Sequence, residues 1–125
     1  MKNTISLNRN EQFLTVYRNG KRAYHKYFTL YYLPNKKDVN RLGFKVGKKL
    51  AKAVKRNRLR RLMRECYRLS EHRIASGYDI IMAAREGCLE IHSYEEAKKI
   101  FENLFQRAGL VTIRAESERP KQENA

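Results

Sequence analysis

Apolar residues recur along this chain with two periods, one near 3.6 and one near 2, which divide it into helices and strands. In residues 7–18, LNRNEQFLTVYR, the i, i+3, i+4 spacing of Phe13, Val16 and Tyr17 predicts a short amphipathic helix, with Asn8 or Asn10 as its N-cap. Asn19-Gly20 ends it. From Arg22 to Leu33 the chain is rich in Tyr, Phe and Thr, predicting a strand, whole or broken in two. Phe28, Leu30 and Tyr32 would face one way and Tyr27, Thr29 and Tyr31 the other. Pro34 to Asp38 reads as a turn, and Arg41 to Val46 as the partner strand of a hairpin.

A long helix is expected from about Ala51 to His72. Leu59, Leu62, Met63, Cys66 and Leu69 fall on one side of it, and Asn57, Arg60, Arg61, Arg64 and Arg68 on the other. Gly77 closes the pattern, and Tyr78 to Ala83 reads as a buried strand, so strand, helix and strand make a crossover. Residues 85–93 read as a loop. Ser93 then caps a last helix, with Glu96 as its capping-box partner and a stripe of Ala97, Ile100, Phe101, Leu104 and Phe105.

The resulting order, α-β-β(-β)-α-β-α, describes a small α+β fold, a two-layer α/β sandwich. A single domain over residues 1–114 is expected, followed by a disordered tail, 115–125. So few strands leave aromatic surface over. Phe13, Tyr17, Tyr27 and Tyr31 either line a groove beside the long helix or pack in the core, and the pattern leaves both open.

Charge changes the picture of the long helix. The chain carries 28 Lys+Arg against 13 Asp+Glu, a formal net charge of +15, far beyond what solubility requires. Nine of those cations lie between Lys48 and Arg64, with no acid until Glu65. Like charges at i, i+4 destabilise an isolated helix by roughly 0.2–0.5 kcal/mol per pair, so local stability does not explain them. A polyanion does. From Arg56 to Arg64 every charge is a guanidinium, whose planar fork suits phosphate oxygens and stacks on bases. A membrane is the weaker partner, since no apolar run is long enough to span one and MKNTISLNRN lacks an apolar signal core. A cytoplasmic protein with reduced Cys66 and Cys88 is expected, because no C-x-x-C spacing supports zinc or a disulfide framework.

Catalytic patterns are missing from the sequence. His25, His72 and His92 have no metal-binding spacing and read as surface residues, and the carboxylates do not pair as a two-metal nuclease would need. Asp79, inside an apolar strand, is expected at the solvent rim or paired with an Arg of the neighbouring helix. Gly43 and Gly47 do not form a phosphate loop.

The run Lys48-Lys49-Leu50, then Ala53-Val54-Lys55-Arg56-Asn57-Arg58-Leu59-Arg60-Arg61-Leu62-Met63-Arg64-Glu65, resembles the signature of the bacterial ribonuclease P protein component, whose hallmark is Arg-Asn-Arg on a basic helix. Asn10-Glu11-Gln12-Phe13 with Val16, Tyr17 and Gly20 resembles that family's first helix. Arg41-Leu42-Gly43 with Val46, and Tyr78-Asp79-Ile80-Ile81 with Ala84-Arg85, resemble the strands flanking the signature. The likeness covers residues 7–110. Ala51 in place of glycine, and Gly47 where serine or another small residue is common, leave the start of the basic helix open.

The resemblance implies the protein subunit of a ribonucleoprotein endonuclease that removes the 5′ leader from precursor tRNA. A large RNA subunit would be the catalyst and would hold Mg²⁺, with no cofactor bound stably by the protein and no obligate protein partner. It further implies that Lys48, Lys49, Lys52, Lys55, Arg56, Asn57, Arg58, Arg61 and Arg68 meet the catalytic RNA. Phe13, Tyr17, Tyr27, Tyr31, Arg60 and Arg64 would line a cleft for the single-stranded leader. The family's β-α-β crossover is left-handed, against the general right-handed preference, which no residue pattern reveals. A ribosomal or other structural RNA-binding protein is the alternative. A helix-turn-helix DNA binder fits less well, because RLGFKV puts a strand where its first helix belongs. A nuclease acting alone fits least.

Overall fold

The structure, a computed structural model, describes residues 4–91 and 93–111. The expected tail at 115–125 and the reading of His92 lie outside the described residues. Along the chain run β1 (Thr4–Ser6), α1 (Asn10–Asn19), β2 (Lys21–Tyr24), β3 (Phe28–Pro34), β4 (Asn40–Lys45), α2 (Ala53–Ser70), β5 (Tyr78–Ala84) and α3 (Tyr94–Arg107). Short 3₁₀ turns follow α2 and β5, the second in place of the expected loop.

The expected segment from Arg22 to Leu33 is broken, giving β2 and β3 as an antiparallel pair joined through residues 25–27. His25 is half-buried there, rather than a plain surface residue, and its Nδ1 accepts the Tyr27 backbone N–H at 3.0 Å. Burial, and then the charges of Arg107 and Lys26, hold its pKa below the usual histidine range. His72 is exposed.

The expected hairpin between the 22–33 segment and 41–46 does not form. The sheet order is β1-β4-β5-β3-β2, with β5 parallel to β4 on one side and antiparallel to β3 on the other. Apart from Asp79, both faces of YDIIMA are apolar, so β5 takes the central position, where both faces and both edges are covered. β1, too short to show an alternation, adds a parallel edge to β4.

α2 and α3 form the second layer. Leu59, Met63, Cys66 and Tyr67 of α2 and Phe101 and Phe105 of α3 bury themselves against Phe28, Leu30, Ile80 and Met82 of the sheet. The inward stripe of α2 ends in Tyr67 and Ser70, whereas Leu69, expected inside, is 38% exposed because the stripe drifts round the helix. Burial raises the Cys66 thiol to about 12 and Cys88 to about 11, and both are free cysteines. α1 lies on the opposite face, where Val16 meets Ile81 and Leu7 in a smaller cluster. Its N-cap is Arg9, neither Asn8 nor Asn10, because the Gln12 side chain turns back to accept the backbone N–H groups of Asn8 (3.2 Å) and Arg9 (3.1 Å). Ser93 caps α3 as expected, accepting the Glu96 N–H at 3.2 Å.

Two polar groups lock the end of the sheet where β3 leaves and β5 begins. Asp79 is paired with Arg41 of β4, the adjacent strand, and not with a helix arginine. Nε donates to Oδ1 at 2.7 Å and Nη2 to Oδ2 at 2.6 Å, while Asn35 Nδ2 donates to Oδ1 at 3.0 Å. The pair holds the Arg41 guanidinium protonated, its pKa raised by the hydrogen bond to Asp79. Buried Asn40 donates to Tyr67 Oη (3.2 Å) and the Ala75 carbonyl (3.0 Å) and accepts the Tyr78 N–H (2.9 Å). No helix among the described residues is long and apolar enough to cross a membrane.

Candidate nucleic-acid interface

α2 begins at Ala53, later than the expected Ala51, because the preceding residues turn back on themselves. Leu50 N–H donates to the Gly47 carbonyl at 3.1 Å, and Lys52 is extended at the N-cap. Arg56 ties this turn to the helix, its Nη1 donating to the Ala51 carbonyl at 2.8 Å. It is half-buried, while Lys48, Lys49, Lys52, Lys55, Asn57, Arg58 and Arg61 are exposed around the first turns of α2. Arg68 stands apart from them. It makes a two-point contact with Glu65, at 3.0 and 2.6 Å, which satisfies much of its charge.

Beside this helix is a trough. β1 covers β4 only from Asn40 to Leu42, and the Leu7 N–H makes the last bond, to the Leu42 carbonyl at 2.8 Å. Beyond that point the outer edge of β4, Gly43 to Lys45, has no strand beside it among the described residues. α1 walls one side with Phe13 and Tyr17, and α2 walls the other with Arg60 and Arg64. The depressions on this edge share Asn8, Phe13, Phe44 and Arg60. Arg64 lies 5.9 Å from the centre of the Phe44 ring, and Asn57 Oδ1 accepts from Arg60 Nη1 at 3.2 Å.

The aromatics form a chain of contacts. Phe13 and Tyr17 are 6.4 Å apart between ring centres, and Tyr17 meets Tyr31 edge-on at 4.8 Å. Burial, then the proximity of Tyr31, raises the pKa of Tyr17. Gly43 is what lets the tip of the Phe13 ring approach the sheet, since a Cβ there would come within 2.5 Å of its Cζ. Gly43→Val is therefore expected to expel that ring and lower stability by about 1–3 kcal/mol in urea unfolding. A variant as stable as the parent would show that the ring yields freely.

The structure thus brings Phe13, Tyr17, Arg60 and Arg64 together around the trough, places Tyr31 behind Tyr17 on β3, and sets Tyr27 apart. β3 starts at Phe28, so Tyr27 lies in the turn before it and does not follow the strand alternation. It packs with the layer of α2 and α3, beside His25 and Lys26. Phe44 and Lys45 belong to the trough although sequence reasoning passed them over; the alternation of RLGFKV, placing Phe44 two residues after buried Leu42, was the available signal. Among the described residues, no three His, Cys, Asp or Glu side chains converge as a metal site.

Fold and site define a small, strongly basic RNA-binding α+β protein whose cations and rings share one trough. The family model for ribonuclease P matches residues 1–109. Ribonuclease P protein components of Natranaerobius thermophilus and Bacillus cereus are 39% and 36% identical over 111 and 115 residues. These alignments span 89% and 91% of this chain and 96% and 99% of the relatives. Among solved structures, the Staphylococcus aureus RNase P protein has a TM-score of 0.79 at 29% identity, covering 86% of this chain and 97% of that one. The Thermotoga maritima RNase P protein has a TM-score of 0.75 at 30% identity, covering 82% and 96%. The chain belongs to the ribonuclease P protein family, the protein subunit of an RNA-based endoribonuclease of tRNA 5′ maturation.

Proposed function

We propose that this subunit works by gripping two RNA chains at once. The exposed cations leading into and along α2, Lys48, Lys49, Lys52, Lys55, Arg58 and Arg61, with Asn57 and the anchored Arg56, meet the catalytic RNA. The trough holds the single-stranded 5′ leader of precursor tRNA. One observation carries the second assignment: the rings of Phe13 and Tyr17, with Tyr31 behind Tyr17, stand opposite Arg60 and Arg64, which have no carboxylate partner among the described residues. Rings take bases without regard to sequence and guanidinium groups take phosphates, the combination that single-stranded RNA requires. Arg68, engaged by Glu65, and Tyr27, on the other side of the sheet, fall outside this reading.

Contacts made to the leader exist only with precursor, so they favour precursor over mature tRNA and help release the product. Cations placed between two polyanions also offset their repulsion and lower the Mg²⁺ that the RNA must recruit. The protein itself then needs no bound cofactor and acts in the cytoplasm with the RNA.

The test is reconstitution with a bacterial ribonuclease P RNA and labelled precursor tRNA. Each lost contact to a single-stranded phosphate is expected to flatten the slope of log K against log salt by about 0.7, so Arg64→Ala should do so for precursor and leave mature tRNA unchanged. Equal weakening of both would remove the leader from the trough. A ribosomal or other structural role would instead leave precursor cleavage at low Mg²⁺ unaffected by adding the protein.

A further inference from the structure

On the face that carries α1, the strand registers set four residues in a single row across the sheet. Gly43 of β4 pairs with Ile81 of β5, Ile81 with Tyr31 of β3, and Tyr31 with Arg22 of β2. α1 covers the first part of this row, with Phe13 on Gly43 and Val16 on Ile81. Its contact with the row ends at Tyr17 against Tyr31, and beyond it Arg22 and Tyr24 are exposed at the outer edge of the sheet.

The chemistry of the trough continues along that row. The Arg22 guanidinium lies 5.7 Å from the centre of the Tyr31 ring and donates through Nη1 to Tyr24 Oη at 3.1 Å. Tyr24 is 53% exposed, Lys21 and Arg22 are exposed, and among the described residues no carboxylate pairs with Arg22. Charge on an outer strand can serve simply to block pairing with another sheet, and lysine suffices for that. Here the charge is a guanidinium set between two tyrosines, an arrangement that also offers a base a stacking surface and a phosphate a fork.

We propose that Arg22 and Tyr24 form a distal subsite, in which a nucleotide of the leader 5′ to those in the trough stacks on Tyr24 while its phosphate is held by Arg22. The inference rests on the assignment of the trough to the leader. Polarity follows from the layout. Catalytic RNA is placed on the α2 side, and the scissile bond with it, so the 3′ end of the leader enters beside Arg60 and Arg64. Its 5′ nucleotides pass Phe13, Tyr17 and Tyr31 and reach β2 last. Each step between neighbouring groups, 6.4, 4.8 and 5.7 Å, is within the reach of one nucleotide.

The experiment uses the reconstituted holoenzyme and two precursor tRNAs, one with a leader of about three nucleotides and one of about ten, so that only the longer reaches β2. Tyr24→Ser and Arg22→Gln are each expected to weaken the long-leader precursor about five- to thirty-fold, the loss of one stacked base or of its phosphate contact, and the short-leader precursor less than twofold. Tyr24→Phe, which keeps the ring, should bind the long leader as the parent does. Equal losses on both leaders, or none on either, overturn the subsite. Tyr17→Ala serves as the control for the reading beneath it. If Tyr17→Ala weakens the precursor while the β2 variants show no dependence on leader length, the subsite alone fails. If Tyr17→Ala leaves precursor binding unchanged in a folded protein, the trough assignment fails with it.

Discussion

Asp79→Ala is expected to lower the free energy of unfolding by about 3–5 kcal/mol, the cost of removing one partner of a buried ion pair. Only 6% of the Asp79 side chain and 22% of the Arg41 side chain are exposed, so the abandoned guanidinium would keep only part of its hydration. Asn35 would lose an acceptor in the same step, because its Nδ2 donates both to Asp79 and to the Val39 carbonyl, holding the turn between β3 and β4. Urea unfolding at neutral pH measures the loss. The informative control is Arg41→Met combined with Asp79→Leu, which removes both charges and should cost much less than either single change. A single variant within about 1 kcal/mol of the parent, the range of an exposed pair, would show that this pair behaves as a surface one. Function is tied to the outcome, because Arg41 and Asp79 pair two residues before Gly43 and Ile81, the row on which Phe13 and Val16 rest.

Asn40→Ala should be nearly as costly, by a different route. No charge is abandoned, but the Tyr78 N–H and the Ala75 carbonyl lose their side-chain partner, at about 1–3 kcal/mol for each group left buried and unpaired. The Tyr67 hydroxyl suffers less, since it keeps Thr4 Oγ1 at 2.9 Å. Asn40→Asp separates the two halves of the amide, retaining an acceptor for Tyr78 while losing both donors. At neutral pH it should cost at least as much as Asn40→Ala in urea unfolding, because it buries a carboxylate against the Ala75 carbonyl. An aspartate variant as stable as the parent at neutral pH would show that the donor half contributes nothing.

Helices were legible in the sequence because a helix is specified by neighbours three and four residues apart: Val16, flanked by the half-buried Phe13 and Tyr17, marks the inward side of α1, and the stripe from Ala97 to Phe105 buries α3. Strand pairing was not, because it depends on residues far away. β4 looked like the hairpin partner of β3 until β5, arriving some forty residues later, separated them. Asp79 was misassigned for the same reason, its partner being across a strand pairing that no local spacing encodes. Tyr27 failed through parity, since a strand starting at Phe28 frees the residue before it from alternation. The trough was legible in its most distinctive parts, an Arg-only helix face and an unusual concentration of Tyr and Phe, and those are the side chains the structure draws together. Phe44 escaped because a lone phenylalanine in a short strand reads as core.

The central place of β5 also sets the order in which a ribosome can complete this protein. Everything up to Ser70, the arginine-bearing rod included, is synthesised before the strand that must slot between β3 and β4 has been made. A nascent chain of that length has its cations displayed but no continuous sheet to orient them, and closing the gap requires contacts of long sequence separation, which form slowly. The grip on RNA is therefore assembled only after residue 84 emerges, with the polyanion-seeking segment already waiting in solution.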